Sequence, residues 1–156
     1  MQTKRGFSLI EMLVYISILV FMLVIILEVI ISITQKDRII ESKRNIENSA
    51  ALTLERVTRE VRESTAISVP SSTRLVLTES DGTTEFYLSD ARIFLKENGI
   101  EVGTLTSSST KVTSLNFIRF ASSTSEGVSV RMTLESGTTT AYRVESFYIS
   151  AVKRKR

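Results

Sequence analysis

The chain contains no cysteine and no histidine. Without cysteine no disulfide holds the fold, and the count carries no information on redox compartment. Without histidine the commonest general base and metal ligand is missing, and a hydrolase triad of the usual kind is excluded. A Ser–Lys dyad stays open, but no clustered polar pattern marks a pocket for one. Proline occurs once, at Pro70, and neither glycine nor proline falls between Phe7 and that position. The six glycines are isolated and mostly lie among turn residues, so no phosphate-cradling glycine pattern is present. Asp81, Asp90 and Glu97 do not stand at the spacing of a calcium loop. The sequence therefore gives no catalytic residue, metal site or cofactor to expect.

Charge is nearly balanced: 20 basic against 17 acidic side chains, net +3. Bulk charge alone does not imply a nucleic-acid partner. No internal repeat is visible, and 156 residues suffice for an anchor plus one modest domain.

What the chain has in abundance is a hydrophobic run. Phe7 to Ile33 is 27 residues in which the strongly polar ones are Ser8, Glu11, Ser17, Glu28 and Ser32. A bilayer crossing needs about 20 apolar residues. From Phe7 to Glu28 the helical rise is about 32 Å, which sets Glu28 at the outer interface of a hydrocarbon core of about 30 Å. The run ends without a small-x-small cleavage site, so the span is expected to be retained. Lys4 and Arg5 before it predict a cytoplasmic N-terminus and an exported C-terminal part.

Glu11 is the anomaly. A carboxylate in a span costs roughly 2.5–3.5 kcal/mol even on the lenient insertion scale, and such groups are usually partnered. Cutting between Gly6 and Phe7 would create an α-amine four residues away, with an ordinary pKa of about 7.7–8.0.

The stretch Arg5-Gly6-Phe7-Ser8-Leu9-Ile10-Glu11 resembles the processing motif of type IV prepilins and of the related pseudopilins of type II secretion and DNA uptake. The resemblance implies that a prepilin peptidase cuts after Gly6 and methylates the new terminus on Phe7. It implies that Glu11 pairs with a neighbouring subunit's N-terminal amine, and that Lys4 and Arg5 are the leader's basic residues. Its implied partners are the peptidase, other pilin or pseudopilin subunits, an inner-membrane assembly platform and membrane lipid. The implied location is the inner membrane, then a surface or periplasmic filament. The resemblance covers about the first 30 residues. Loss of Met1 to Gly6 would lower the net charge from +3 to +1, since Lys4 and Arg5 go with it. The chain departs from many major members: it lacks a C-terminal disulfide loop, an acidic calcium loop and the helix-bending proline, with Glu28 standing there instead. These departures favour a minor subunit, and retention of Glu11 argues against the extreme tip. A plain signal-anchor, with Glu11 reaching to Lys4 or Arg5, is the rival. It corresponds to a single-span anchored binding module that never assembles.

Beyond the membrane the helical pattern continues. Ile39, Ile46, Ala50, Leu54, Val57 and Val61 form one apolar stripe, with charges on the other faces read as mostly solvated. Glu55 and Arg59 stand four apart in the favourable order. The helix is expected to reach about Ala66, where Ser64-Thr65 weaken it and Pro70 forbids continuation. Leu54 to Glu63 also resembles the helix end of minor pseudopilins.

After Pro70, Ser, Thr and β-branched residues dominate, and about seven short strands are expected. Arg74–Thr78 and Thr84–Leu88 flank a hairpin turn at Ser80-Asp81-Gly82. Ala91–Lys96 and Ile100–Val102 flank Asn98-Gly99, the strongest short hairpin signal. Leu105–Thr113 reads as loop or irregular edge, followed by a strand from Thr113 to Phe120. Val128, Val130, Met132 and Leu134 alternate with polar residues as a half-buried strand does. In Ala141–Ile149 the apolar phase changes, which predicts a bulge near Ser146.

The fold class expected is thus α+β: a long N-terminal helix packed on an antiparallel sheet, pilin-like. The expected divisions are a leader at 1–6, a transmembrane and filament-core helix at 7–33, its amphipathic continuation at 34–66, a β-rich domain at 67–152 and a basic tail at 153–156. Lys153, Arg154, Lys155 and Arg156 form that tail. It is read as a solvated end, with contact to DNA or lipid phosphate as the functional alternative.

Overall fold

The computed structural model describes residues 8–122, 125–137 and 141–153. One helix, α1 (Leu9–Glu63), is followed by antiparallel strands, an α+β pilin-like arrangement. Two compact units divide the chain, Met1–Arg38 and Ile39–Arg156.

In the first unit the Ser8 carbonyl starts α1, accepting hydrogen bonds from the Glu11 and Met12 amides at 3.0 and 3.2 Å. Ser17 and Thr34 hydroxyls donate to the Leu13 and Ile30 carbonyls one turn back, at 2.8 and 2.9 Å. Their polar groups are thereby satisfied within the helix itself, as an apolar surrounding requires. Every large apolar side chain from Leu9 to Ile33 is exposed, Phe21 at 73%. This stretch is long and apolar enough to cross a membrane, with a mean hydropathy of 3.1 over its best window.

In the second unit the remainder of α1 buries Ser42, Ile46, Ser49, Ala50, Thr53, Val57, Glu60 and Val61. Ile46, Ala50, Val57 and Val61 of the predicted stripe lie on this face, widened by Ser42, Ser49, Thr53 and Glu60; Leu54 packs half-buried at its margin, and Ile39 lies outside the core. The helix ends at Glu63 rather than near Ala66. Ser64 closes it, its amide bonding the Glu60 carbonyl (2.9 Å) and its hydroxyl the Val61 carbonyl (2.9 Å). Thr65 then donates its amide and hydroxyl to the Thr78 carbonyl, at 2.6 and 2.9 Å, and is captured by the sheet. The next strand, β1 (Ala66–Ser71), was not expected from sequence. Pro70 is tolerated because β1 is an edge strand whose register with its neighbour shifts between Ser68 and Ser71.

Strands β2 (Arg74–Thr78), β3 (Thr83–Ser89), β4 (Arg92–Glu97) and β5 (Ile100–Thr104) follow β1 in a five-stranded antiparallel meander. Asn98-Gly99 turns with φ of 53° and 79°, as its sequence predicts. The β3–β4 turn is also two residues, Asp90-Ala91, with φ of 47° and 56°. Both angles are positive, as type I′ turns demand, and Ala91 therefore leaves the strand in which it was expected. Strands β6 (Thr110–Ala121), β7 (Glu126–Ser136) and β8 (Arg143–Val152) form a second antiparallel sheet. β6 begins inside the stretch expected to be loop, and its irregularity lies between Val112 and Ser114. The expected bulge near Ser146 is absent: β7 and β8 pair without a shift from Gly127↔Val152 to Ser136↔Arg143. Tyr142 and Val144 sit exposed on the outer side, so the apparent change of phase is apolar residues on both faces.

Both sheets and the helix share one core. Val57 and Val61 of α1, Leu75, Leu77, Phe86 and Ile93 of the first sheet, and Val128, Val130, Met132 and Leu134 of the second are all fully buried. The amides of Val112 and Phe117 bond the carbonyls of Ala91 and Ser72, at 2.8 and 2.7 Å, tying the sheets together.

Candidate functional site

The chemistry-bearing residues fall in three places. Glu11 lies in the first turn of α1, where the partial positive charge of the helix N-terminus favours a carboxylate. Tyr15, one turn on, donates a long hydrogen bond from its hydroxyl to Glu11 Oε1 at 3.4 Å. The sequence reading missed this contact, although an acidic residue four before a tyrosine is signal enough for one. Lys4, Arg5, Gly6 and Phe7 lie outside the described residues.

At the other end of the chain, Lys153 is engaged within the fold. Its ammonium donates to the Thr65 carbonyl at 2.5 Å and pairs with Glu126 Oε2 at 3.4 Å. Its amide bonds the Glu126 carbonyl at 2.8 Å. It thus links the end of β8 to the helix–β1 connection and to the start of β7. Arg154, Lys155 and Arg156 lie outside the described residues.

The third place is a polar cluster that the sequence reading assigned to the solvated face of the helix. Glu60 is 6% exposed. Arg56 Nε stands 2.7 Å from Glu60 Oε1, an ion-pair contact outside hydrogen-bond geometry. The same guanidinium donates to Glu97 Oε1 of β4 at 2.6 Å. Arg59 is 3.6 Å from Glu60, and no Glu55–Arg59 pair forms among the described residues. Glu79, in the β2–β3 loop, lines the same cleft as Glu60 and accepts a bond from the Thr84 hydroxyl at 3.0 Å. Asp81 and Asn98 complete the lining of a cleft of about 180 Å³.

Burial pushes the Glu60 carboxyl above its ordinary pKa. The Glu79 carboxyl pushes the same way, while Arg56 and Arg59 oppose. Burial and a second carboxyl group nearby both favour the protonated form of Glu60. Among the described residues, no group of three or more acidic side chains is arranged to hold a metal ion. The cluster joins the end of α1 to two hairpins and shows no nucleophile paired with a base.

In comparison with known proteins, the prokaryotic N-terminal methylation motif matches residues 1–27. No curated protein and no solved structure matches the chain. The matched motif is the type IV prepilin-like signature, and it runs directly into the exposed apolar part of α1. The motif is joined to an α+β, pilin-like arrangement of one long N-terminal helix followed by antiparallel sheets. Motif and arrangement together imply processing by a prepilin peptidase and assembly with other pilin subunits, and they fit a protein anchored in the inner membrane.

Proposed function

We propose that this chain is a minor structural subunit of a type IV pilus, type II secretion or DNA-uptake filament. The carrying observation is the methylation motif over residues 1–27, continuous with a helix whose apolar side chains are all uncovered from Leu9 to Ile33. Such a surface needs lipid or neighbouring helices. At about 25 cal/mol per Å² of apolar area, its removal from water drives membrane insertion, and close packing against neighbouring helices drives association from there.

On this reading residues 1–6 are the leader, removed after Gly6, and Phe7 is the methylated terminus. The stretch 7–33 is the membrane and filament-core segment, and the β-rich domain faces outward. Glu11 supplies the assembly rule. In a dry filament core its carboxylate meets a neighbour's N-terminal amine, where opposite charges attract far more strongly than in water. Until then, the Tyr15 hydroxyl gives it a local partner. The absence of cysteine and of a proline near Glu28 supports the minor-subunit assignment. Lys153 has partners inside the fold, so a contact with phosphate is assigned to residues 154–156.

The experiment is Glu11→Val in cells expressing the filament system, with shearing and fractionation. The variant should insert and be cleaved, yet fall out of the sheared filament fraction. Incorporation at the native level would refute the assembly role and favour an anchored module that does not polymerise.

A further inference from the structure

The outer strands of the two sheets are β1, β5, β6 and β8. The first three are blunted or occupied. β1 carries Pro70 and a register shift. β5 is five residues long and slips against β4 between Leu95 and Lys96. β6 is tied to the first sheet through the Val112 and Phe117 amides. β8 differs: it has ten residues, no proline and no shift along its pairing with β7. Edges of that kind are normally blunted or covered, because their free amides and carbonyls template pairing.

The ladder itself says which groups are free. The Lys153 amide bonds the Glu126 carbonyl at 2.8 Å, one step beyond the Gly127↔Val152 pair. Bonded pairs alternate along an antiparallel ladder, so Ala151, Ile149, Phe147, Glu145 and Arg143 turn their backbone groups to β7. Val144, Ser146, Tyr148, Ser150 and Val152 turn theirs away, and no backbone group of the described residues bonds them.

The two flanks of this edge differ. On the core side lies a groove of about 390 Å³, lined by Glu55, Thr58, Arg59, Arg62 and Glu63 of α1 and, from the sheets, by Ile149. Two acids balance two bases there, so the groove selects no charge and accepts an apolar side chain against Ile149. On the outer side the Tyr148 hydroxyl is bonded to Ser150 at 3.0 Å, and Ser150 to Ser129 at 3.3 Å. Arg131 stands over the Tyr148 ring at 5.9 Å.

We propose that β8 is extended by one further strand, donated by a different subunit of the filament. Outward amides and carbonyls repeating every second residue are complemented by another extended polypeptide backbone, which is the chemistry of strand addition. The donated strand alternates apolar side chains, set on the groove, with polar ones set beside Tyr148 and Arg131. A second copy of this chain has no matching strand to give except β8 itself, because β1 and β5 are interrupted. This contact rests on the filament reading, in which a minor subunit is flanked by chains of other sequence.

The test uses the full chain in cells that carry the filament system. The photoreactive residue p-benzoylphenylalanine replaces Tyr148, which is 64% exposed, and cross-linked peptides are identified by mass spectrometry. The expected product joins position 148 to an alternating apolar and polar segment of one other filament subunit. Ser146→Pro removes an outward amide but no β7–β8 bond, which an edge strand tolerates. It should lower the yield about tenfold, whereas Ser146→Ala should leave it unchanged. Thermal melts in detergent micelles check the direction of the amides. Ser146→Pro should melt near the wild type, and Phe147→Pro, which breaks the ladder, well below it. Equal losses from both prolines would show that the Ser146 amide faces β7 and would overturn the proposal. So would the absence of a cross-link, a cross-link to a second copy of this chain or to a protein outside the filament system, or one that survives Ser146→Pro. Sheared filaments from the same cells separate this contact from polymerisation. Filament incorporation without the cross-link overturns the contact alone. A proline-sensitive cross-link confined to the membrane fraction overturns polymerisation alone.

Discussion

Replacing Arg56 with alanine strips one guanidinium from two carboxylates at once. Glu60, whose side chain is 7% exposed, loses its 2.7 Å partner, and Glu97, 43% exposed, loses its 2.6 Å partner. Removing one member of a fully buried pair costs about 3–5 kcal/mol. Arg56 is itself 31% exposed and Glu97 more so, hence solvent screens part of the loss. The expected destabilisation at neutral pH is about 2–3 kcal/mol. At about 4 °C per kcal/mol for a unit of this size, the melting temperature should fall by roughly 8–12 °C. The pH dependence gives the sharper test. The folded-state pKa of Glu60 is raised by burial and by Glu79. The proton-linked stability is therefore complete below the ordinary carboxylate pKa and is lost as pH rises through the folded value. Without Arg56 the folded pKa climbs further, so the Arg56→Ala deficit should be smaller at pH 5 than at pH 8. Glu60→Gln should flatten the wild-type profile over the same range and, combined with Arg56→Ala, recover part of the loss. Thermal melts of the full chain in detergent micelles, followed by circular dichroism, measure all of these. A deficit below about 0.5 kcal/mol, typical of a solvated surface pair, or one independent of pH, would refute the buried-cluster account.

Two glycines should respond differently to alanine. At Gly82 a Cβ would fall 2.0 Å from Asn98 Oδ1, which accepts the Thr83 amide at 2.9 Å. Asn98 can swing aside at the loss of that bond, about 1 kcal/mol. At Gly127 a Cβ would meet the Ala151 carbonyl at 2.4 Å, within the β7–β8 ladder. Backbone must move there, and about 2–3 kcal/mol is expected; equal costs in denaturant titrations would contradict the packing described. Tyr87 donates a 2.6 Å bond to Glu101, which holds its phenol up at about 12. Tyr142, bonded to Glu135, is raised as well, so ultraviolet titration should show a late step that Tyr87→Phe reduces by one phenol and that Glu101→Gln moves back toward 10. A profile unchanged in both variants would place the late titration elsewhere.

The parts legible in the sequence are those written locally. The apolar run, the motif around Gly6, the Asn98-Gly99 turn and the alternation of Val128 to Leu134 each depend on residues adjacent in the chain. What escaped was decided by distant partners. Glu60 looks like any other helix-surface carboxylate until the β2–β3 loop brings Glu79 into the same cleft. β1 was hidden by Pro70, which an irregular edge pairing accommodates. The Asp90-Ala91 turn lacks the glycine that advertises such turns. The misplaced bulge in β8 arose from Tyr142 and Val144, apolar residues that stay on the outer face. Of the candidate site, Glu11 was legible from its position within the run, and the Tyr15 contact was legible in principle from its spacing of four.

The most direct measurement of the central claim is the intact mass of the chain's N-terminus after co-expression with an active prepilin peptidase. The account predicts loss of Met1 to Gly6 and a methyl group on Phe7, with Gly6→Val retaining the leader. An N-terminus still carrying residues 1–6 beside an active peptidase, or cleavage undisturbed in Gly6→Val, would contradict it.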